Sequence, residues 1–486
     1  MTDRTPGDNP ESAQVPTPPP TANTQAIGPL ANLDDDDRAV PRKQVVSWAF
    51  WDWATQPFNS VILTFVFASL YLVSDSFLAP EIAALPDGDP LKEQGLAALT
   101  SGYGLVTTLA GILILLLAPV LGQRADATGR KKRALFIATM LLALIQFGLF
   151  FVHAEPAFFW FGAALIALGS VVSEIAGVNY NAMLRQVSNR RTIGRVSGLG
   201  WGLGYIGGIL ALVIVVVLNF AEWFGMDTSD GMAYRLIAVG AAVWTILFSI
   251  PIFTNVPEAP PAADRPKVNF FASYGVLVKD LVHLYRTARP SFWFLFASAI
   301  YRDGLAGVFA FGGVLAAVAF RFSANEVIIF GIVANLVAGL STIFAGRLDD
   351  RFGPKAVIVF ALVGLVLMAG TIFAFSGVGP IIFWICGLIL CAFVGPAQAA
   401  SRSLLARVTP AGMQGEIFGL YATTGRVASF ISPAMWTLFI AISGSTIFGV
   451  LGIAIVLLAG LAVLLLVKLP DLRAPRERKS VPGGLA

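Results

Sequence analysis

A short basic loop, Gly122–Arg133, is the feature that most constrains this chain. It separates two apolar runs, residues 97–121 and 134–153, each long enough to cross a bilayer as a helix. A turn this short makes the two helices antiparallel neighbours. A second loop, Gly346–Lys355, repeats the Gly, Asp and Gly of the first at the same relative positions, again between apolar runs. The repeat predicts a duplicated helical bundle.

A second pair of matching strings supports this duplication. Met183–Ser188 and Gly194–Leu199 run parallel to Leu404–Thr409 and Gly415–Leu420 at a constant offset. The alignment relates the fourth and fifth apolar runs to the tenth and eleventh. It therefore predicts two halves of six spans each.

The composition excludes a soluble fold. Hydrophobic residues make up 56% of the 486 residues, charged residues make up 13%, and the mean hydropathy is +0.76. A soluble domain of this size needs a more polar surface. The predicted fold class is therefore an all-α polytopic membrane protein with twelve transmembrane helices in two six-helix halves. A net charge of only +4 gives no reason to expect a nucleic-acid partner.

The apolar runs divide the chain into segments. They lie at residues 45–73, 97–121, 134–153, 157–183, 196–219, 233–253, 291–318, 325–345, 356–376, 380–401, 414–441 and 446–468. We expect a disordered tail over 1–43, an N-terminal half over 44–253, a linker over 254–290, a C-terminal half over 291–468 and a basic tail over 469–486. No signal peptide is expected, because the first apolar run begins only near Val45.

The linker carries a helical pattern of its own. Its apolar positions recur at helical spacing at Tyr274, Leu277, Val278, Leu281 and Tyr285. Basic positions fall on another face, at Lys279, His283 and Arg286. The pattern predicts an amphipathic helix on the membrane surface, and the open alternative is a short helix packed on the ends of the bundle.

Basic residues fall almost entirely on one side of the predicted bundle. Of the 33 lysines and arginines, only Lys92, Arg235 and Arg321 lie opposite the termini, and Arg302 and Arg426 lie within spans. Cytoplasmic loops carry such an excess of Lys and Arg. We therefore expect a multi-pass cell (inner or plasma) membrane protein whose termini, linker and two basic loops are cytoplasmic.

Charged residues inside the apolar runs are the main functional signal. Each costs roughly 2.5–3.5 kcal/mol at a helix centre on insertion scales. They lie in the first, fourth, seventh and eleventh spans, at Asp52, Glu174, Arg302, Asp303 and Arg426. They predict a polar cavity for a substrate or ion, with Arg426 as a candidate partner of Asp303. The alternative is a set of static ion pairs between helices, for example Asp52 or Glu174 with Arg302 or Arg426.

Helical spacing groups other polar residues with these charges. The faces so formed carry Asp52, Gln56 and Asn59 in the first span, Ser170, Glu174, Gly177 and Asn181 in the fourth, and Gln398 and Arg402 in the tenth. Such stripes favour a water-lined interior. In the glycine-rich fifth span, Trp201 and Tyr205 are aromatic candidates for substrate contact.

Several strings resemble a known family. The first loop matches the basic loop of the major facilitator superfamily at Gly122, Asp126, Gly129, Arg130 and Lys131, and Asp126 is expected to cap the next helix or to pair with Arg130. The second loop keeps Gly346, Asp350 and Gly353 but has Pro354 where the family often has Arg. A narrower resemblance, to the vacuolar amino-acid effluxer branch, rests on Trp51–Ala54, Tyr180–Ala182, Gly194–Tyr205, Tyr301–Gly304, Gly395–Ser403 and Gly419–Arg426.

The resemblance implies a secondary transporter that opens a central cavity alternately to each side, with the two basic loops as gates. It also implies export of a small solute such as an amino acid. Arg302, Arg402 or Arg426 would hold the carboxylate, and Asp52 or Glu174 the ammonium. A titrating carboxylate would carry a coupling proton, and Asp52 is favoured over Asp303 and Glu174.

Other machinery is not expected. The chain lacks a Walker phosphate loop, and its two histidines, His153 and His283, belong to no metal or catalytic cluster. We predict no cofactor, no metal and no enzymatic activity. The partners expected are a small-molecule substrate, the bilayer and protons, with the chain as a monomer. The alternatives are a broad-specificity drug or metabolite exporter and a non-transporting membrane sensor.

Overall fold

The fold is a bundle of membrane-length helices. The computed structural model describes residues 39–86, 89–225, 230–258, 269–287, 289–322, 324–409 and 413–468, and these contain no strand. Twelve of their helices are long and apolar enough to cross a membrane. They are α1 (Arg42–Leu72), α2 (Pro90–Thr128), α3 (Lys131–Phe151), α4 (Pro156–Ala182), α5 (Ile193–Phe220), α6 (Met232–Asn255), α7 (Arg289–Val314), α8 (Ala324–Phe352), α9 (Pro354–Ala374), α10 (Pro380–Val408), α11 (Gln414–Ser443) and α12 (Thr446–Leu466). The predicted C-terminal tail, 469–486, lies outside the described residues. So do residues 1–38 of the predicted N-terminal tail, 1–43.

The predicted fold class is confirmed, but the first basic loop is shorter than its sequence suggested. Helix α2 begins at Pro90, where the Asp89 side chain accepts a hydrogen bond from the Leu91 N–H (2.9 Å). It continues through Asp126 to Thr128 and ends at Gly129, whose φ of +67° favours glycine. Asp126 therefore lies in the last helical turn rather than in a loop.

Three spans depart from regular α-helix. Helix α1 is α-helical only over Arg42–Pro57 and then π-helical over Phe58–Phe65 and Phe67–Leu72. A π-helical turn, Leu315–Ala319, also follows α7. Helix α11 consists of two pieces, Gln414–Ala428 and Ile431–Ser443. Such irregularities occur frequently at functional sites.

Two helix pairs join the halves near the basic loops, at what we call the basic-loop end of the bundle. Helix α5 packs along α8, and α2 packs along α11. Pro119 of α2 has no N–H, so the Leu115 carbonyl lacks its usual helical donor. The Thr423 hydroxyl of α11 donates to that carbonyl instead (3.3 Å). Gly419 of α11 packs directly on Pro119.

The linker contains one described helix, Phe270–Thr287, which we call the linker helix. It contacts both α2 and α7. Its Leu284 is fully buried, and its Tyr274 hydroxyl donates to the Leu116 carbonyl of α2 (3.1 Å). The helix therefore packs on the side of the bundle, while Val278 and Tyr285 remain exposed.

A charged cluster joins the turns at the opposite end of the bundle. The Asp230 carboxylate accepts hydrogen bonds from His153 Nδ1 (2.8 Å), the Ala154 N–H (3.2 Å) and Arg235 Nη1 (3.3 Å). Arg235 also donates to the Phe150 carbonyl (2.5 Å). The hydrogen bonds from His153 and Ala154 and the nearby Arg235 charge hold the pKa of Asp230 below its usual 3.8.

We expect this cluster to make stability depend on acid pH. A carboxyl group whose pKa is lowered by folding stabilises the fold above its unfolded pKa, and the stabilisation disappears as the pH falls through the folded value. The unfolding temperature of Asp230→Asn should therefore lie below that of wild type at neutral pH. The two should converge below pH 3.8. A difference in unfolding temperature between the two proteins that stays constant from neutral pH to below pH 3.8 would contradict the prediction.

Candidate functional site

A cavity of about 420 Å³ lies between the two halves. Every cavity residue predicted from the sequence lines it except Tyr205, so the lining includes Asp52, Gln56, Asn59, Glu174, Asn181, Arg302, Asp303, Gln398, Arg402 and Arg426. The Tyr205 hydroxyl instead donates to the Gln398 side-chain oxygen (2.7 Å), and thus supports a lining residue from behind. The helical spacing in the sequence therefore predicted which of these residues share the cavity surface.

An ion pair between the halves forms the floor of this cavity, toward the basic-loop end. Arg402 Nη1 lies 3.1 Å from Asp52 Oδ2, and the Tyr180 hydroxyl donates to the same oxygen (2.9 Å). Arg402 also donates to Asn181 Oδ1 (3.2 Å) and, through Nε, to Ser197 Oγ (3.0 Å). We call these five residues the floor cluster.

Three aromatic rings surround the Arg402 guanidinium. Its central carbon lies 5.1 Å from the Trp48 ring and 5.6 Å from both the Tyr180 and Trp201 rings. Arg402 is only 3% exposed, so these cation–π contacts act in a largely dry site. Trp48 was not among the site residues predicted from the sequence, although it lies one helical turn before Asp52 and hence on the same face.

A second ion pair crosses the cavity in a more open position. Glu174 of α4 lies 3.2 Å from Arg426 of α11, and their side chains are 31% and 43% exposed. The proposed pairing of Arg426 with Asp303 is therefore wrong. Asp303 instead accepts a hydrogen bond from the Ser432 N–H (2.6 Å), in the first turn of the second piece of α11. Its negative charge suits that helix N-terminus.

Arg302 is a cavity cation of a different kind. It lies over the Tyr421 ring, 3.7 Å from its centre, and donates to the Tyr421 carbonyl (2.8 Å). Within the described part of the chain, no carboxylate forms an ion pair with Arg302. Its guanidinium therefore keeps donors that can bind an incoming carboxylate.

The last turns of α2 and α8, at the two basic loops, each supply an aspartate that caps a helix of the opposite half. Asp126 accepts a hydrogen bond from the Glu416 N–H (2.9 Å) at the start of α11. Asp350 accepts from the Gly194 N–H (2.8 Å) and the Arg195 N–H (3.1 Å) at the start of α5. The expected partner Arg130 is exposed, and Asp126 pairs with Lys131 instead (2.7 Å). The capped helix is thus not the next one in the chain.

Further contacts close the basic-loop end around these caps. Gly122 packs on Gly415, and Gly346 packs on Gly194. Gly353, with φ of +87°, ends α8 as Gly129 ends α2. The absence of side chains at Gly122, Gly415, Gly346 and Gly194 lets the helices of the two halves approach closely.

A buried arginine that was not predicted from the sequence completes the closure. Arg407 Nη2 lies 3.2 Å from both Asp349 and Asp350, and Nη1 donates to the Arg190 carbonyl of the other half (3.0 Å). Arg407 lies five residues after Arg402, and its exposed fraction is 3%. A polar cavity closed at one end by contacts between two halves can hold a small solute and release it when those contacts part.

A match to a protein-family model identifies the family to which this helical bundle belongs. The model of the "Vacuole effluxer Atg22 like" family matches residues 185–475, which is more than half of the chain. The chain belongs to the Atg22-like family. This family lies within the major facilitator superfamily, so the protein is a membrane transporter and not an enzyme.

Similar proteins agree with that assignment. The uncharacterized MFS-type transporter YxiO of Bacillus subtilis is 27% identical over 87% of this chain and 94% of its own length. Autophagy-related protein 22 of Cryptococcus neoformans is 24% identical over 56% of this chain and 52% of its own length, so the match spans about half of that fungal relative. Among solved structures, the proton:xylose symporter XylE matches 89% of this Atg22-like chain and 97% of its own, with a TM-score of 0.68 at 14% identity. That likeness shows the fold alone.

Proposed function

We propose that this protein exports a small solute such as an amino acid by alternating access, with protons as the coupling ion. The observation that carries the proposal is a cavity that contains both signs of charge between two halves. The halves meet through reciprocal aspartate caps at one end. Parting those caps would open the cavity to the basic-loop side.

We propose that the protein lies in the plasma or inner membrane of the cell. Its basic-loop end would then face the cytoplasm. The excess of Lys and Arg at that end supports the orientation. A cysteine introduced at exposed Glu81 should react with an impermeant reagent in intact cells, whereas one at exposed Thr128 should react only after lysis. The reverse pattern would overturn the orientation.

An amino acid would use the cavity charges in two places. Arg302 has no ion-pair partner in the described residues and would bind the carboxylate, with the Tyr421 ring beneath it. Glu174 is 31% exposed and would accept the ammonium by exchanging its contact with Arg426. The substrate would then bridge α4, α7 and α11, which belong to both halves.

Replacing Arg302 should weaken binding strongly. Hydrogen bonds to charged groups contribute about 1.5–3 kcal/mol each, so Arg302→Gln should lower affinity by roughly 10- to 150-fold. The measurement is a thermal-shift screen of purified protein against amino acids, followed by uptake into proteoliposomes. Arg321→Gln, an exposed arginine outside the cavity, is the matched control. Equal affinity in both variants would contradict the carboxylate assignment.

Asp52 is the proposed proton carrier. It lines the cavity, shares its face with Gln56 and Asn59, and is bonded to Arg402 of the other half. Neutralising Asp52 would remove the charge that holds Arg402. Proton binding from the cavity would thereby loosen the floor cluster, which links protonation to opening.

A further inference from the structure

The linker helix, Phe270–Thr287, has a buried face and two exposed ones. Its buried face consists of Ser273 and Leu284, both fully buried, with Leu277 and Leu281 packed on the hydrophobic core. These positions follow helical spacing and face the bundle. This contact accounts for only part of the apolar surface of the helix.

A second apolar stripe faces away from the bundle. Phe271 is 81% exposed, Val278 60%, Val282 45% and Tyr285 43%. Their spacing of seven, four and three residues places all four on one side of the helix. Such a stripe is stable in contact with hydrocarbon and unfavourable in water.

The third face is basic. Lys279 and Arg286 are exposed there, and Arg289 follows directly in α7, with its guanidinium 5.6 Å from the Tyr285 ring. Asp280 is the single acidic residue in the sequence of the helix. Basic side chains beside an apolar stripe are complementary to a surface with apolar chains below negatively charged headgroups.

The position of the linker helix along α2 is fixed by one hydrogen bond. Tyr274 donates to the carbonyl of Leu116, which lies 44% exposed on the lipid-facing side of that helix. At 1.5 Å per residue, Leu116 lies roughly 18 Å before Thr128, where α2 ends. Leu116 lies within the apolar run 97–121, so the linker helix packs beside the apolar span of α2. Tyrosine is enriched where such spans meet the headgroup layer.

We propose that the linker helix binds the surface of an anionic phospholipid leaflet. The stripe from Phe271 to Tyr285 enters the hydrocarbon, and Lys279 and Arg286 contact the headgroup phosphates. The helix is bonded to α2 and contacts α7, so lipid binding ties a gate helix of one half to the first helix of the other. This inference holds whatever solute is transported.

Spin labels at neighbouring positions test the insertion. The full chain, with Cys386 and Cys391 replaced by alanine, would carry a single label at Val278 or at Lys279. It would be reconstituted in nanodiscs of phosphatidylcholine with or without phosphatidylglycerol. With phosphatidylglycerol present, the label at Val278 should collide with dissolved oxygen, and the label at Lys279 with an aqueous nickel reagent. A label at Val278 that is exposed to water in both lipid mixtures overturns the proposal. Protection of that label from the aqueous reagent only after a soluble protein fraction is added would indicate a protein partner instead of lipid, and would also overturn it.

Charge substitutions test the headgroup assignment. The double substitution Lys279→Gln with Arg286→Gln should lower the binding preference for phosphatidylglycerol over phosphatidylcholine by roughly thirty-fold. Native mass spectrometry of the lipid that the protein retains measures this preference. The matched control is Arg133→Gln with Arg351→Gln, two exposed arginines near the same end but outside the helix. An equal loss in the control, or no loss in the test pair, overturns the assignment.

Discussion

Gly122→Val is expected to hold the basic-loop end open and to reduce transport severely. A side chain at this position would overlap the Gly415 carbonyl of the opposite half. Overpacking of this kind costs about 1–3 kcal/mol, which lowers the closed-to-open ratio by roughly 5- to 150-fold. Proteoliposome uptake should fall accordingly. A cysteine placed at Ser188, 2% exposed at the closed end, should become reactive.

The matched control for this change is Gly111→Val. Gly111 lies in the same helix, but a Cβ there meets no atom within 4 Å. The two variants therefore share the local cost of replacing glycine in α2 and differ in the contact between halves. If Gly122→Val transports and labels like Gly111→Val, the Gly122–Gly415 contact is not a gate.

Breaking the ion pair of the floor cluster is expected to have the second large effect, and substitutions of its two residues, Asp52 and Arg402, should differ. Asp52→Asn should abolish uptake driven by a pH gradient while leaving counterflow without a gradient, because it removes the proton site and leaves the floor cluster in the loosened state that protonation would produce. Arg402→Gln should abolish both. It would also lower stability by about 3–5 kcal/mol, because it removes the buried cation of the pair together with its hydrogen bonds to Asn181 and Ser197.

The exposed ion pair provides the comparison for stability. Arg426→Gln breaks a pair whose side chains are 31% and 43% exposed, so its cost in unfolding free energy should be at most about 1 kcal/mol. Thermal unfolding of the two arginine variants measures the difference. If Asp52→Asn keeps pH-driven uptake, Asp52 is not the proton carrier. If Asp303→Asn keeps it as well, Glu174 becomes the next candidate.

The sequence was sufficient to predict the spans because hydrophobic length alone specifies them. It failed at helix ends, where single side chains decide the outcome. The apolar run at 97–121 stops before Asp126, yet α2 continues to Thr128, because that last turn packs against α11 and its polar residues find partners there. Periodicity within one segment contains no information about such distant partners.

The same limit separates the site residues that the sequence predicts from the contacts that it does not. Spacing within α1 placed Asp52, Gln56 and Asn59 on one face, and all three line the cavity. Spacing within one helix did not determine the pairings between helices. Arg426 donates a hydrogen bond to Glu174, and Asp303 accepts one from the Ser432 N–H. The duplicated pattern did contain a usable signal, because an aspartate that caps across the interface in one half implies its counterpart in the other.

Pro119 gives the opening motion a dependence on hydration. The Leu115 carbonyl has no donor in its own helix and takes one from Thr423 across the interface. When the halves part, this oxygen needs a water molecule at once, whereas the other backbone hydrogen bonds of α2 stay intact. The rate of opening should therefore follow water activity, and an excluded osmolyte should slow exchange in the wild type more than in a Pro119→Ala variant.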